Sequence, residues 1–345
     1  MSIFRTATVA ALGVACVLAA APIVAAPATN LEKTSVKVGV GSKNGFFFLP
    51  TMVAEGLGYY KDEGLSVDIV DAGSGGKALE ALVAGGVDMI SGAYDHVVQL
   101  RAKNVALQGF VLQARLCDYA VGLTKEKAAT YKKPEDLRGM KLGISSPGSG
   151  SDMFLKLFLA KHGIKASDVP TISVGLGPTA IAAVRAGQID GLANNDPVLG
   201  VLEQSGDIKI IADGRHDAGS KEVYGGPYPC AAMIASEDFI KANPKTTQAM
   251  ANAMVRTLHW MAKAKPEDII NVMPKQFSQP DPEVTKKILI NLKDTYSADG
   301  LFPENSGDLA YKALGPYVPN LEAAKPSLAK TFTNDFVKAV QPKSN

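Results

Sequence analysis

Two short motifs in this chain recur in the same order about a hundred residues apart, and that repetition restricts the fold more than any other feature. Lys37-Val38-Gly39-Val40-Gly41-Ser42 returns as Lys141-Leu142-Gly143-Ile144-Ser145-Ser146, at an offset of 104. Ala81-Leu82-Val83-Ala84-Gly85-Gly86-Val87-Asp88 returns as Ala183-Val184-Arg185-Ala186-Gly187-Gln188-Ile189-Asp190, at an offset of 102. The first motif reads as a strand running into a Gly/Ser turn, the second as a helix stopped by glycine with a strand starting two residues on. Strands alternating with helices of about ten residues argue for βαβ units and parallel pairing. Two near-equal offsets in two different motifs predict duplicated lobes of like topology. A chain of 345 residues has the length for two such units.

Segments 106–124 and 229–236 read as strands flanking the second copy, and so as two crossings between lobes. The expected division is a first lobe over 33–120, a second over 121–228, and a return to the first over 229–345. The last part is a return strand followed by helices punctuated with prolines. Flexure is expected near Tyr119–Thr124 and Pro227–Ala231.

The first thirty residues differ in kind. Arg5 is their only charge, Ala7–Ala21 is rich in Ala, Val and Leu, and Val24-Ala25-Ala26-Pro27-Ala28 is a small-residue stretch. A positive start, an apolar run and an A-x-A-like site predict a secretory signal peptide over 1–26, cut after Ala26 or Ala28. The protein is then periplasmic. Of three cysteines, Cys117 and Cys230 remain after cleavage, in an oxidising compartment. A disulfide between them is allowed but not required, two buried thiols being the alternative. Lys+Arg is 36 against Asp+Glu 34, with no basic run, which argues against nucleic acid as a partner. The four histidines have no ligand spacing, so no metal or cofactor is expected.

Ligands of open α/β sheets bind beyond the carboxyl ends of the strands. The loops there are small and polar. Ser145–Ser151 runs straight into an amphipathic helix, whose free N–H groups favour an anion, and Gly73–Lys77 offers the same geometry in the first lobe. Candidate ligand-binding residues are Ser146, Gly148, Ser149, Gly150 and Ser151 on one side, and Ser74, Gly75 and Gly76 on the other. Asn44, Phe46 and Phe48 after the first strand, Tyr94, Tyr119 and Tyr224 as amphipathic rings, and Asn194-Asn195 join them. Ser149 and Ser151 are the expected side-chain donors, and Arg115 and His96 the candidate cationic partners. No Gly-x-Ser-x-Gly elbow and no Cys–His arrangement suggests catalysis. Micromolar binding requires about 8 kcal/mol, of which two helix termini supply about 1–2 each. Enclosure between two lobes would supply the rest.

Phe48-Leu49-Pro50 followed by Ala54-Glu55-Gly56-Leu57-Gly58-Tyr59-Tyr60-Lys61-Asp62-Glu63-Gly64-Leu65 resembles the opening of the nitrate/sulfonate/taurine-type substrate-binding proteins of ABC importers. Glu135-Asp136-Leu137-Arg138-Gly139-Met140-Lys141-Leu142-Gly143, Ala186–Gly191 and Glu237–Pro244 agree, so the resemblance spans about residues 35–270. It implies an α/β, two-lobed type II periplasmic binding fold, each lobe a mainly parallel sheet flanked by helices. It also implies delivery to ABC transporter permease subunits and ligands that are mainly small anions, sulfonates and carboxylates among them, with pyrimidine thiamine precursors in one branch. The expectation for this chain is a monomer that captures a small organic anion, a sulfonate or carboxylate with an apolar or aromatic body. Two other readings stay open: an exported enzyme of the thiamine-pyrimidine type, whose cysteine-rich iron motif is absent here, and a ligand-sensing module for a membrane receptor.

Overall fold

The computed structural model describes residues 30–277, 279, 281–315, 318, 321 and 327–341; the segment 1–26, expected to be a signal peptide, lies outside them. Ten strands form two five-stranded sheets. The first holds β1 (Ser35–Val40), β2 (Ser66–Asp71), β3 (Met89–Ala93), β4 (Leu107–Ala114) and β10 (Ala231–Ser236), in the order β2-β1-β3-β10-β4. The second holds β5 (Ala120–Thr124), β6 (Leu142–Ile144), β7 (Thr171–Ser173), β8 (Gly191–Asn194) and β9 (Ile208–Asp213), in the order β7-β6-β8-β5-β9. Each strand of one sheet has a counterpart in the other, β10 answering to β5.

The repeat in the sequence is a repeat of hydrogen bonds. Val38 pairs with Met89 in the first sheet and Leu142 with Gly191 in the second, at the same offsets of 104 and 102. The Asp88 carboxylate accepts the Lys37 N–H at 2.9 Å, and Asp190 accepts that of Lys141 at 2.8 Å. A Cβ on Gly39 would stand 3.2 Å from Ile90 and Val87, and one on Gly143 2.8 Å from Ile189, so both copies use glycine where a neighbour presses on the strand.

Each sheet is mixed. β1 pairs parallel with β2 and β3, and β6 with β7 and β8. β10 and β5 run antiparallel to both their neighbours. Half of the pairings are thus antiparallel, because each lobe inserts a strand that arrives from the other lobe rather than over a helix. The strand-like stretch 106–124 is broken at Arg115–Tyr119, where the chain changes sheets. Cys117 and Cys230 lie on the two crossings and are disulfide-bonded, with Cα atoms 5.1 Å apart.

The long helix Pro244–Lys263 buries Met250, Met254 and Leu258 against Val36 and Val38 of β1, Phe110 of β4 and Met233 of β10. Each such side chain contributes about 1.5–3 kcal/mol of apolar burial. The tail does not stay on the first lobe. Helix Pro282–Leu292 crosses to the second, where Ile288 sits against Gly200 of helix Val198–Gln204, so closely that a Cβ on Gly200 would stand 2.5 Å from it.

Candidate functional site

The loops leaving β1 and β2 meet those leaving β8 and β6 across the seam between the lobes. The Phe46 N–H donates to the Asp196 carbonyl at 3.0 Å, and the Phe47 ring stacks on Tyr119 with centroids 5.4 Å apart. A Cβ on Gly76 would stand 3.2 Å from Ser146 Oγ and 3.3 Å from the Pro147 carbonyl. Gly75–Gly76 opens helix Gly75–Val83 and Gly150 opens helix Gly150–Lys161, so the start of one helix faces the loop that leads into the other. The first N–H groups of a helix have no acceptor within it and carry its positive end.

On the second-lobe side, Ser145, Ser149 and Ser151 form a closed triangle of hydroxyls, with Oγ–Oγ distances of 2.8, 3.0 and 3.1 Å. Ser151 Oγ also accepts the Ser145 N–H, and Ser149 Oγ caps the helix by accepting from Asp152 N. Gly148 takes the left-handed φ of +74°, which turns its N–H onto the Asp152 carboxylate at 2.8 Å. Asp152 in turn pairs with Lys156 at 2.7 Å. Gly150 lies directly against the Tyr119 hydroxyl, with no room for a Cβ. The serines proposed as donors are therefore engaged with one another and with the backbone. Ser146 is the exception: its buried hydroxyl makes no hydrogen bond to the protein.

On the first-lobe side, Ser74 caps its helix through Lys77 N, and Phe48 packs its ring on Gly41. Asn44 lies half-buried in the loop after β1, its N–H on Ser42 Oγ. Phe46 is fully buried, edge-on to Phe277, and its carbonyl accepts the Tyr296 hydroxyl. In the second lobe, Asn194 donates to the Gly175 carbonyl at 3.0 Å, whereas Asn195 Oδ1 is buried without a partner. Tyr224 stacks on Tyr228 at 4.0 Å and leans on Phe154, its hydroxyl also unpartnered.

Two candidates are not brought to the seam. Tyr94 turns into the first lobe, where its ring packs on Phe302 and its hydroxyl bonds Thr331 Oγ1 at 2.6 Å. The polar loop context suggested a pocket residue, but a core contact 237 residues away in sequence claims it. Arg115 pairs with Asp217 at 3.3 Å on the surface and lines a separate cavity of about 500 Å³ with Met261, Leu289 and Tyr296. Nor is His96 a cation: burial alone holds its imidazole down at about 4, so it is neutral at pH 7.

Among the buried acids that the sequence reading did not single out are Asp95, Asp118 and Asp196. Asp95 accepts the Tyr228 hydroxyl, and burial raises its carboxyl to about 6. Asp118 and Asp196 meet at the crossing, where Asp118 Oδ1 accepts the Asp196 N–H at 3.3 Å. Burial first, and then the Asp196 carboxylate, pushes the Asp118 carboxyl well above its ordinary range. Arg215 bonds Asp196, Glu203 and Asp213 at 3.3, 2.9 and 2.8 Å, so this buried guanidinium is spent on the fold. It borders a cavity of about 560 Å³ between the second lobe and helix Pro282–Leu292. The only sequence cue to Asp118 is its place beside Cys117 at a crossing.

Two lobes of like topology, joined by two crossings and facing one another with helix starts and neutral polar side chains, make up a two-lobed α/β fold of the periplasmic-binding-protein type. The chain belongs to the NMT1/THI5-like family, whose model matches residues 46–269. It is 43% identical to a protein of solved structure from Bordetella bronchiseptica RB50, with TM-score 0.87 over 90% of this chain and 97% of that one. The alkanesulfonate-binding protein SsuA from Xanthomonas axonopodis pv. citri, bound to MOPS, superposes with TM-score 0.67 at 18% identity, over 88% of this chain and 99% of its own. The periplasmic nitrate-binding protein NrtA from Synechocystis PCC 6803 does so with TM-score 0.67 at 16% identity, over 89% and 88%. At such identities these two speak for the fold alone. The binding protein YtlA of Bacillus subtilis (strain 168) is 24% identical over 303 residues, 86% of this chain and 88% of its own length.

Proposed function

We propose that the protein is the periplasmic solute-binding component of an ABC importer, and that it captures a small organic anion, a sulfonate or carboxylate with an apolar or aromatic body, between its lobes. The carrying observation is the start of helix Gly75–Val83 facing Ser146 across the seam, with uncharged donors around it. Aromatic rings supply the remaining surface: Phe47 on Tyr119, and Phe154, Tyr224 and Tyr228 in contact beyond them. Such a site binds the anion through N–H and O–H dipoles rather than a countercharge, as a helix start permits. The bound MOPS in the SsuA relative, a sulfonate on a ring, fits the same chemistry. The role is capture and release to a permease, not turnover.

Thermal melts against alkanesulfonates, benzoate, phthalate, nitrate and neutral pyrimidines test this. Ligand at about a thousand times its dissociation constant adds about 4 kcal/mol, a shift of several degrees for a protein of this size. Organic anions should move the melt more than nitrate does. A melt moved by pyrimidines and by no sulfonate or carboxylate would refute the anion reading.

A further inference from the structure

We propose that His96 is the side chain that hydrogen-bonds the ligand's anionic group, in a pocket completed by the Gly75 and Gly76 N–H groups and by Ser146 Oγ of the facing lobe. The inference rests on the anion reading and moves its centre from the Ser145–Ser151 loop to the first lobe.

His96 is fully buried, yet neither Nδ1 nor Nε2 has a hydrogen-bond partner among the described residues. A buried polar side chain left so costs about 1–3 kcal/mol, and such a group calls for a physical explanation. The ring lies between the end of β3 and the start of helix Gly75–Val83: a Cβ on Gly92 would stand 3.9 Å from Cδ2, and one on Gly75 3.9 Å from Nε2. Next to the same dipeptide stands Ser146 Oγ, also unpartnered among the described residues, 3.2 Å from where a Gly76 Cβ would be. Two orphaned polar atoms, one from each lobe, therefore flank the two glycines whose N–H groups head the helix. Glycine at both positions lets a ligand atom come against the backbone.

The second-lobe helix lacks this character. Its hydroxyls are satisfied internally, and the Gly148 N–H is already taken by the Asp152 carboxylate, which is itself paired with Lys156. Because burial keeps His96 neutral, the imidazole offers an N–H without a net charge. Affinity should then depend little on salt, as a countercharge would not be the source of attraction.

Butane-1-sulfonate and benzoate are the probes, titrated calorimetrically into the full-length mature protein and its variants. His96→Phe, which keeps a ring and loses both nitrogens, should weaken binding of the probe that wild type takes by about tenfold or more, and His96→Gln, which keeps a donor, by clearly less. Gly76→Ala should weaken it comparably by placing a methyl between the lobes, without backbone strain. In imidazole ¹⁵N spectra the probe should shift the His96 Nε2 signal, a readout independent of how well His96→Phe folds. Wild-type affinity in His96→Phe, or a His96 signal unmoved at saturating probe, overturns the assignment while the anion reading stands. Failure of wild type to bind either probe, with pyrimidines binding instead, overturns both.

Discussion

The Cys117–Cys230 disulfide closes a loop of 113 residues that contains β5 to β9, the whole sheet of the second lobe. Replacing both cysteines by alanine frees that loop in the unfolded chain. Chain-entropy closure for about 113 residues gives about 5 kcal/mol at 25 °C. The two sulfur positions are 0% and 2% exposed, so their loss adds a small packing cost of the same sign. Urea unfolding of the double variant, followed by the fluorescence of the single tryptophan and by circular dichroism, measures the sum. With a slope of about 3 kcal/mol/M, the midpoint should fall by about 1.5 M. Wild type reduced with dithiothreitol should behave alike, since the loop and not the substitution is responsible. Oxidised and reduced protein with midpoints within about 0.3 M and equal slopes would refute the reasoning, because loop closure at that length could not then be limiting.

Asp95 and His96 should give opposite pH dependences of stability. His96, held at about 4 against an ordinary 6.5, contributes stability that is present above pH 6.5 and lost as pH falls through 4, about 3 kcal/mol by pH 4. Asp95, raised from 3.8 to about 6, has the reverse sign: its contribution is full below 3.8 and lost as pH rises through 6, about 2 kcal/mol between pH 4 and 7. Relative to wild type, denaturation between pH 7 and 4 should therefore favour His96→Gln and disfavour Asp95→Asn increasingly as pH falls, and parallel profiles would contradict both assignments. Asp88→Ala and Asp190→Ala, equivalent in the two lobes, should each cost about 1–2 kcal/mol in chemical denaturation, since each strips one backbone N–H of its carboxylate. Gly41→Ala sets a Cβ 2.7 Å from Gly75 N and 2.8 Å from the Phe48 ring, and should cost about 1–3 kcal/mol in the melt while weakening ligand binding.

The duplicated architecture was legible because each copy repeats a local rule: alternation in the strand, glycine at the helix stop, and an aspartate heading the next strand. Those rules act over a few residues, and the equal offsets carried them directly into equal strand pairings, Val38 with Met89 and Leu142 with Gly191. The loops that face the seam were legible for the same reason, since strand ends followed by Gly and Ser lead into helices wherever they occur.

Which side chains in those loops stay available to a ligand was decided elsewhere. Ser149 and Ser151 look like open donors in sequence, but the turn at Gly148 folds them onto Ser145. Tyr94 looks amphipathic in its loop, but Thr331 takes its hydroxyl. His96 has no neighbour in sequence that explains it, and its two bare nitrogens are visible only once the end of β3 and the start of the Gly75 helix come together around it. The inserted strands β5 and β10 and the Cys117–Cys230 bond depend likewise on partners far away in sequence. Local sequence set the strands, helices and turns of this protein because their propensities and caps are short-range. Hydrogen-bond satisfaction and burial are sums over everything that comes to surround a group, so the tertiary structure alone decided which polar atoms have a partner and which do not.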